Sequence, residues 1–279
     1  IIFAPRATLD LQGGGSFYTS TADVLRLRDG GVFHADLREP SVLRSAPPEA
    51  FGFLQAQPAA IVTRRSVLAV GSGATLELIG GDLQLRDSTL IAPSGHLRLV
   101  SVGGVSDIAL QSIAPAEAMR LPLGTVHLQQ TAVTADEEEG GGGTIEVLGA
   151  RITLQESSIQ NPNRGERVGG VITVTATEAV TISGLSQDFL GVSTSTLGRG
   201  SAGQITVTTP DLTLANGAVV SVDTFDAGQG GAIVFQVGQL RVTGGSSVGS
   251  NAGSSGMGGT LTIRATGDVI VAGRGDFFP

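Results

Sequence analysis

The sequence predicts an all-β chain folded as a parallel β-helix, a solenoid that grows by adding coils. Three observations carry this expectation: a Gly-led phrase that recurs, apolar residues that alternate with period two, and a turn residue at a fixed place in each copy. The openings are GGTIEV at 142, GGVITV at 169, AGQITV at 202, GGAIVF at 230 and GGTLTI at 258. Their first apolar residues, Ile145, Ile172, Ile205, Ile233 and Leu261, lie 27, 33, 28 and 28 residues apart. A period of this size in a strand-rich chain means stacked units, because one copy is too short to bury its own apolar face.

The alternation places each strand. In Gln204-Ile205-Thr206-Val207-Thr208 the apolar side chains share one face and the polar ones the other. Leu212 and Leu214 repeat the pattern after a Pro210-Asp211 turn, and Ala218 with Val220 repeat it after Asn216-Gly217. Three short strands per copy fit one coil of a β-helix better than a hairpin. Aligned copies put Asp87, Glu156, Asn216 and Gly244 at the bend after the second strand, where Asn, Asp and Gly suit a left-handed backbone and Glu156 departs from the pattern. The inward set of the later copies, Ile205, Val207, Leu212, Leu214, Ile233, Phe235, Leu240, Val242, Leu261 and Ile263, is the expected core.

Earlier in the chain, Thr8–Leu11 and Val24–Leu27 read as strands on either side of a triple-glycine turn. The stretch 36–60, with Pro40, Pro47, Pro48 and Pro58 around Phe51-Gly52-Phe53-Leu54, reads as an excursion packed on the side of the stack. Coils resume at Thr75–Leu78, Leu83–Leu85, Thr89–Ile91 and His96–Leu99, with 21 residues from Leu76 to Leu97. A second excursion, 103–124, contains SIAPAEAMRL, which suits a turn of helix; from Val126 the stack runs to Val271. One continuous solenoid is expected, with 1–125 holding the first coils and both excursions and 126–279 the regular repeats of about 28 residues. The 42 glycines, ten phenylalanines and absent tryptophan suit a narrow aliphatic core.

Net charge is −8, and the 17 basic residues are all arginine. With no basic stripe to displace counterions, nucleic acid and anionic membrane are poor partners. No apolar run approaches the roughly 18 residues of a membrane helix. The chain starts at Ile1 with neither a methionine nor a signal peptide and ends at Pro279 just after a strand, so a piece of a longer protein, with its caps elsewhere, is expected.

The stretch IIFAPRATLDLQGGGSFYTSTADVLRLRDGGVFHAD, followed by APPEAFGFL, is similar to the closing part of the secretion domain of filamentous-haemagglutinin-like exoproteins. The phrase ITVTTPDLTLANGAVVSVDTFDAGQGGAIVF resembles the repeats that follow that domain. The resemblance covers almost the whole chain. It implies a right-handed parallel β-helix, exported by two-partner secretion through an outer-membrane barrel transporter to the cell surface of a Gram-negative-type bacterium. Members serve as adhesins and contact proteins. The family's secretion signal, with its Asn-Pro-Asn motif, lies upstream of Ile1, so the transporter would be recognised through a part not present here. Asn161-Pro162-Asn163 reads instead as a bend in a repeat. The absence of cysteine fits export of an extended chain through an oxidising periplasm.

Tests for chemistry are mostly negative. Parallel β-helices also serve as polysaccharide lyases and hydrolases, which need carboxylates paired on one face of adjacent strands, or carboxylates holding calcium beside a strong base. The strands read as nearly bare of carboxylate, with Asp211, Asp223 and Asp226 in or near turns of one copy and Gln239, Asn251 and Ser254 at the matching places in the next; there is no lysine to act as base. Neither Gly228–Ala232 nor Gly256–Thr260 carries the aspartate that Gly-rich calcium repeats use. Asp136-Glu137-Glu138-Glu139 reads as a solvated loop, and His34, His96 and His127 are scattered, with His96 and His127 facing solvent. Arg274-Gly275-Asp276 spells an adhesion tripeptide in an exposed turn, a weak signal that chance can supply. The expectation is a surface rod with no enzymatic activity and no cofactor, contacting an unidentified host or neighbouring-cell ligand. The alternatives are a carbohydrate-active β-helix lyase or hydrolase, and a stalk for a distal domain.

Overall fold

A computed structural model describes residues 1–279 except 12, 43–44, 137–140, 185–190, 254 and 274–279. The described chain is almost entirely strand, with a single short helix at Pro115–Ala118 inside the SIAPAEAMRL stretch. None of its helices is long and apolar enough to cross a membrane. The strands form a 13-stranded and an 8-stranded sheet, both parallel, and a 4-stranded antiparallel sheet.

The sequence period becomes register. Ile145 pairs with Ile172, Ile172 with Ile205, Ile205 with Ile233 and Ile233 with Leu261, each across one parallel ladder. Leu76 pairs with Leu97, as their 21-residue spacing requires, and Leu97 pairs with Ile145 across the whole second excursion. Like therefore sits on like about 4.8 Å apart, and inward aliphatic side chains fuse into one cluster reaching from Ile61 to Val242. Eight of the ten expected core residues are buried. Leu261 and Ile263, at 42% and 39% exposed, are not, because among the described residues Thr260–Ala265 pairs only with Ala232–Thr243 and no strand covers its other side.

The glycine at each opening has a steric cause. A Cβ on Gly143, Gly170, Gly203, Gly231 or Gly259 would run into the carbonyl oxygen of the glycine one repeat earlier, Gly95, Gly143, Gly170, Gly203 and Gly231 respectively. Backbones approach there too closely for any side chain.

The three-strand reading of each later copy needs correction. Residues Thr144–Gln155, Val171–Ser183, Gln204–Ala215 and Ala232–Thr243 are each one strand, so the first two expected strands run together. Pro210 and Asp211 lie exposed within Gln204–Ala215, and Asp211 pairs with Gln239. The missing proline N–H is tolerated because the ladder resumes one residue later.

The bend after the second strand is left-handed at all four expected residues, with φ of 50° at Asp87, 50° at Glu156, 56° at Asn216 and 61° at Gly244. Arg65 (φ 50°) and Gln130 (φ 48°) hold the same place after the earlier paired strands Ile61–Arg64 and Thr125–Gln129. A hydroxyl follows in four of them. Ser66, Ser88, Thr131 and Ser157 are buried, and each donates to the carbonyl two residues back, at 3.1, 2.7, 2.9 and 2.8 Å. The hydroxyl at the next bend then accepts a backbone N–H, from Ser66 to Ser88 Oγ at 3.3 Å and from Thr131 to Ser157 Oγ at 3.1 Å. These bonds offset the roughly 1–3 kcal/mol of a left-handed non-glycine residue.

The excursions also differ from expectation. Val24–Leu27 is not in the stack but in the antiparallel sheet, with Val32–His34 and Pro48–Phe53, and the lateral layer thus begins at Val24. Ser106–Ala109 of the second excursion pairs with Phe53–Ala50 of the first. Together they cover a second apolar cluster, in which Phe53, Ile108, Ile113 and Ala118 pack on Ile79, Val100 and Leu148 of the large sheet.

Candidate functional site

The lateral layer shields a charged row that the sequence reading left unremarked. On the large sheet, Tyr18 pairs with Glu77, Glu77 with Arg98, Arg98 with Glu146 and Glu146 with Thr173. Alternation turns these side chains away from the aliphatic core: Leu76 and Leu78 face inward, so Glu77 faces out. Outward would ordinarily mean exposed. Here Glu77, Arg98 and Glu146 are only 3%, 4% and 4% exposed, because residues 109–113 lie over them.

Arg98 holds the cluster together. Its Nε donates to Glu146 Oε2 and its Nη1 to the Ala109 carbonyl at 2.6 Å, while the Ile113 N–H donates to Glu146 Oε1 at 3.1 Å. Glu77 is the odd member. Its Oε1 lies 3.9 Å from Arg98 Nη1, too far for a hydrogen bond, and its Oε2, like Arg98 Nη2, has no protein partner. Burial, opposed by Arg98 and reinforced by the Glu146 charge, pushes the Glu77 carboxyl up to about 7.

This fixes a sign for pH dependence. Folded Glu77 holds its proton more tightly than the unfolded chain does, so its stabilising contribution is full below the ordinary value of 4.5 and is lost as pH rises through about 7. The span corresponds to about 3 kcal/mol. Urea unfolding of Glu77→Gln should show a flatter stability profile between these values than the unchanged protein, and equal or greater stability above them. Parallel profiles would contradict a buried, protonating Glu77.

A cleft of about 250 Å³ opens beside the row, lined by Tyr18, Thr75, His96, Gln111, Ser112 and Thr144 together with the three charged residues. A second stretch of about 540 Å³ shares Ser112, Thr144 and Glu146 with it and continues past Thr173 to Gln204 and Thr206. The groove thus runs along the stacking direction, with polar side chains on each successive strand.

The two carboxylates correct the view that the strands carry no constellation: they stand on one sheet face, separated by a single strand. Hydrolysis nevertheless needs a water between an acid and a base, and Arg98 occupies that gap while Glu146 is committed to two donors. Glu77 and Arg98 lie 21 residues apart and Arg98 and Glu146 lie 48 apart, which hides them from any motif search. The signal that finds them is the aligned register, since each directly follows an aligned opener, Leu76, Leu97 or Ile145.

The acids singled out from sequence do not converge. Asp211 sits on the 13-stranded sheet and Asp223 within a strand of the 8-stranded one, not in turns. Asp223 accepts from Asn251 N–H at 2.9 Å and Nδ2 at 3.0 Å; Asp226 accepts from the Ala227 N–H at 2.8 Å. Ser254 lies outside the described residues. Asp136 pairs with Arg164 at 3.0 Å, while Glu137, Glu138 and Glu139 lie outside the described residues. Asn161-Pro162-Asn163 does not form the expected bend: it continues the parallel pairing with Gly191–Thr196, the Asn161 and Asn163 N–H groups donating to the Ser193 and Ser195 carbonyls at 3.0 and 2.7 Å, and both side chains are fully buried, Asn161 Nδ2 donating to Gly143 O at 2.8 Å and Asn163 Nδ2 to Arg167 O at 2.6 Å. His96 is exposed, whereas His127 is half-buried, and burial, then the Arg86 charge, lowers its pKa. Among the described residues no group of three or more His, Asp or Glu could hold a metal ion. Arg274, Gly275 and Asp276 lie outside the described residues. No family model, curated protein or solved structure matches this chain.

Proposed function

We propose that the chain is a segment of a surface rod: a right-handed parallel β-helix of the filamentous-haemagglutinin type, exported by two-partner secretion and displayed outside a Gram-negative-type cell. The observation that carries this reading is the continuous series of parallel ladders from Ile61–Arg64 to Val269–Ala272, with one aliphatic cluster threading it. A core that lengthens with every added strand pairing suits reach. Catalysis asks for a carboxylate pair with room between its members, and the Arg98 side chain fills that room. The absence of cysteine agrees with passage through a barrel as an extended chain. In this reading the transporter engages a region upstream of Ile1, and the rod carries contacts to a host or neighbouring cell.

The test is protease shaving of intact cells producing the full-length protein, probed with an antibody raised against residues 126–279. The reading expects the antigen to be digested on the surface when the outer-membrane transporter exporting it is intact, and retained inside when that transporter is deleted. Antigen protected in both strains, or surface antigen that survives the deletion, would overturn it.

A further inference from the structure

We propose that the groove beside the lateral layer binds an uncharged linear oligosaccharide lying along the stacking direction. The geometry is a track of polar groups. Thr173 and Thr206 are paired on successive strands about 4.8 Å apart, and Thr144 and Gln204 stand in the neighbouring row on either side of Val171, so hydroxyl and amide groups line the groove in two rows along its length. A chain of sugar rings offers hydroxyls at a comparable repeat. Tyr18, 49% exposed at one end of the cleft, presents a ring on which a sugar face can stack, and Gln111 and Ser112, both exposed, form the wall opposite the sheet.

Charge narrows the occupant. Arg98 is matched by Glu146 and enclosed, so no free guanidinium meets a phosphate, sulfate or uronic acid, and the enclosed Glu77 offers no open carboxylate to a cation. Peptide addition is disfavoured by the floor: Thr75–Gly80, Thr144–Gln155 and Gln204–Ala215 each have strands on both sides, leaving no free backbone edge to extend. The enclosed row lends rigidity to this floor by anchoring Ala109 and Ile113 of the wall.

The experiment uses the purified chain, so it stands or falls independently of export. Saturation-transfer NMR and calorimetry would be run with cellohexaose, xylohexaose, mannohexaose, laminarihexaose and chitohexaose, the corresponding trisaccharides, hexagalacturonate and a polar dodecapeptide. At least one neutral hexaose is expected to bind with Kd below about 1 mM, its trisaccharide about tenfold more weakly. Tyr18→Ala and Gln204→Ala, both at exposed positions, should each weaken that binding several-fold with unchanged circular dichroism. The proposal is overturned if no neutral hexaose binds at millimolar concentration, if only hexagalacturonate or the peptide binds, or if both variants bind as the unchanged protein does.

Discussion

Replacing Ile233 by aspartate should unfold the C-terminal strands of the parallel sheets while leaving the N-terminal ones standing. Ile233 is fully buried, stacked between Ile205 and Leu261, and belongs to the continuous aliphatic cluster. The change removes a branched side chain worth about 1.5–3 kcal/mol of burial and leaves a carboxylate with no partner. A total above about 4 kcal/mol places it among the most damaging single substitutions. Because each repeat contacts mainly its neighbours, the loss should be local. Hydrogen exchange is expected to accelerate in Gln204–Ala215, Ala232–Thr243 and Thr260–Ala265, with protection retained in Thr75–Gly80 and His96–Ser101. Unaltered exchange in the first group would contradict the burial of Ile233.

Arg98→Met should destabilise the other end by a comparable amount. Among the described residues the guanidinium is the only cation paired with two enclosed carboxylates, and its removal strands Glu146 with a single donor, the Ile113 N–H. Breaking a buried pair from one side costs about 3–5 kcal/mol, whereas replacing every member by neutral groups is close to neutral. The combined variant Glu77→Gln, Arg98→Met, Glu146→Gln should therefore regain much of what Arg98→Met loses. Thermal and urea unfolding followed at the lateral layer check both. If the single and the combined variants lose equally, lost packing rather than stranded charge is the cause.

The parts of the fold legible in the sequence are those that repeat. Period, alternation and the bend at Asp87, Glu156, Asn216 and Gly244 are local patterns, and each reappears as register or as positive φ. Glu156, the exception among turn formers, adopts the bend because Ser157 and the adjacent coils hold it there; Arg65 and Gln130 do so without any turn propensity to announce them. Pro210-Asp211 reads as a turn because its chemistry is that of one, yet the stack carries the strand through. The lateral layer was legible only as a break in pattern. Its pairing of Ser106–Ala109 with the strand at Pro48–Phe53 joins segments more than fifty residues apart, a non-local choice that no local signal encodes. The charged row was hidden for the same reason, since outward acids on a strand look solvated until the excursion that covers them is placed.

The account rests most directly on the rung-by-rung register, and the absence of cysteine allows it to be measured without background. Thr206 and Val234 are paired on adjacent strands and both point away from the core, whereas Thr262 lies one strand further on. Cysteines at 206 and 234 should form a disulfide rapidly under mild oxidation, because their separation falls within the roughly 4.4–6.8 Å that the bond spans. Cysteines at 206 and 262, about 9.6 Å apart at two strand spacings, should not. Efficient crosslinking of the first pair alone is the predicted result; failure of that pair, or equal crosslinking of both, would contradict the stacked register.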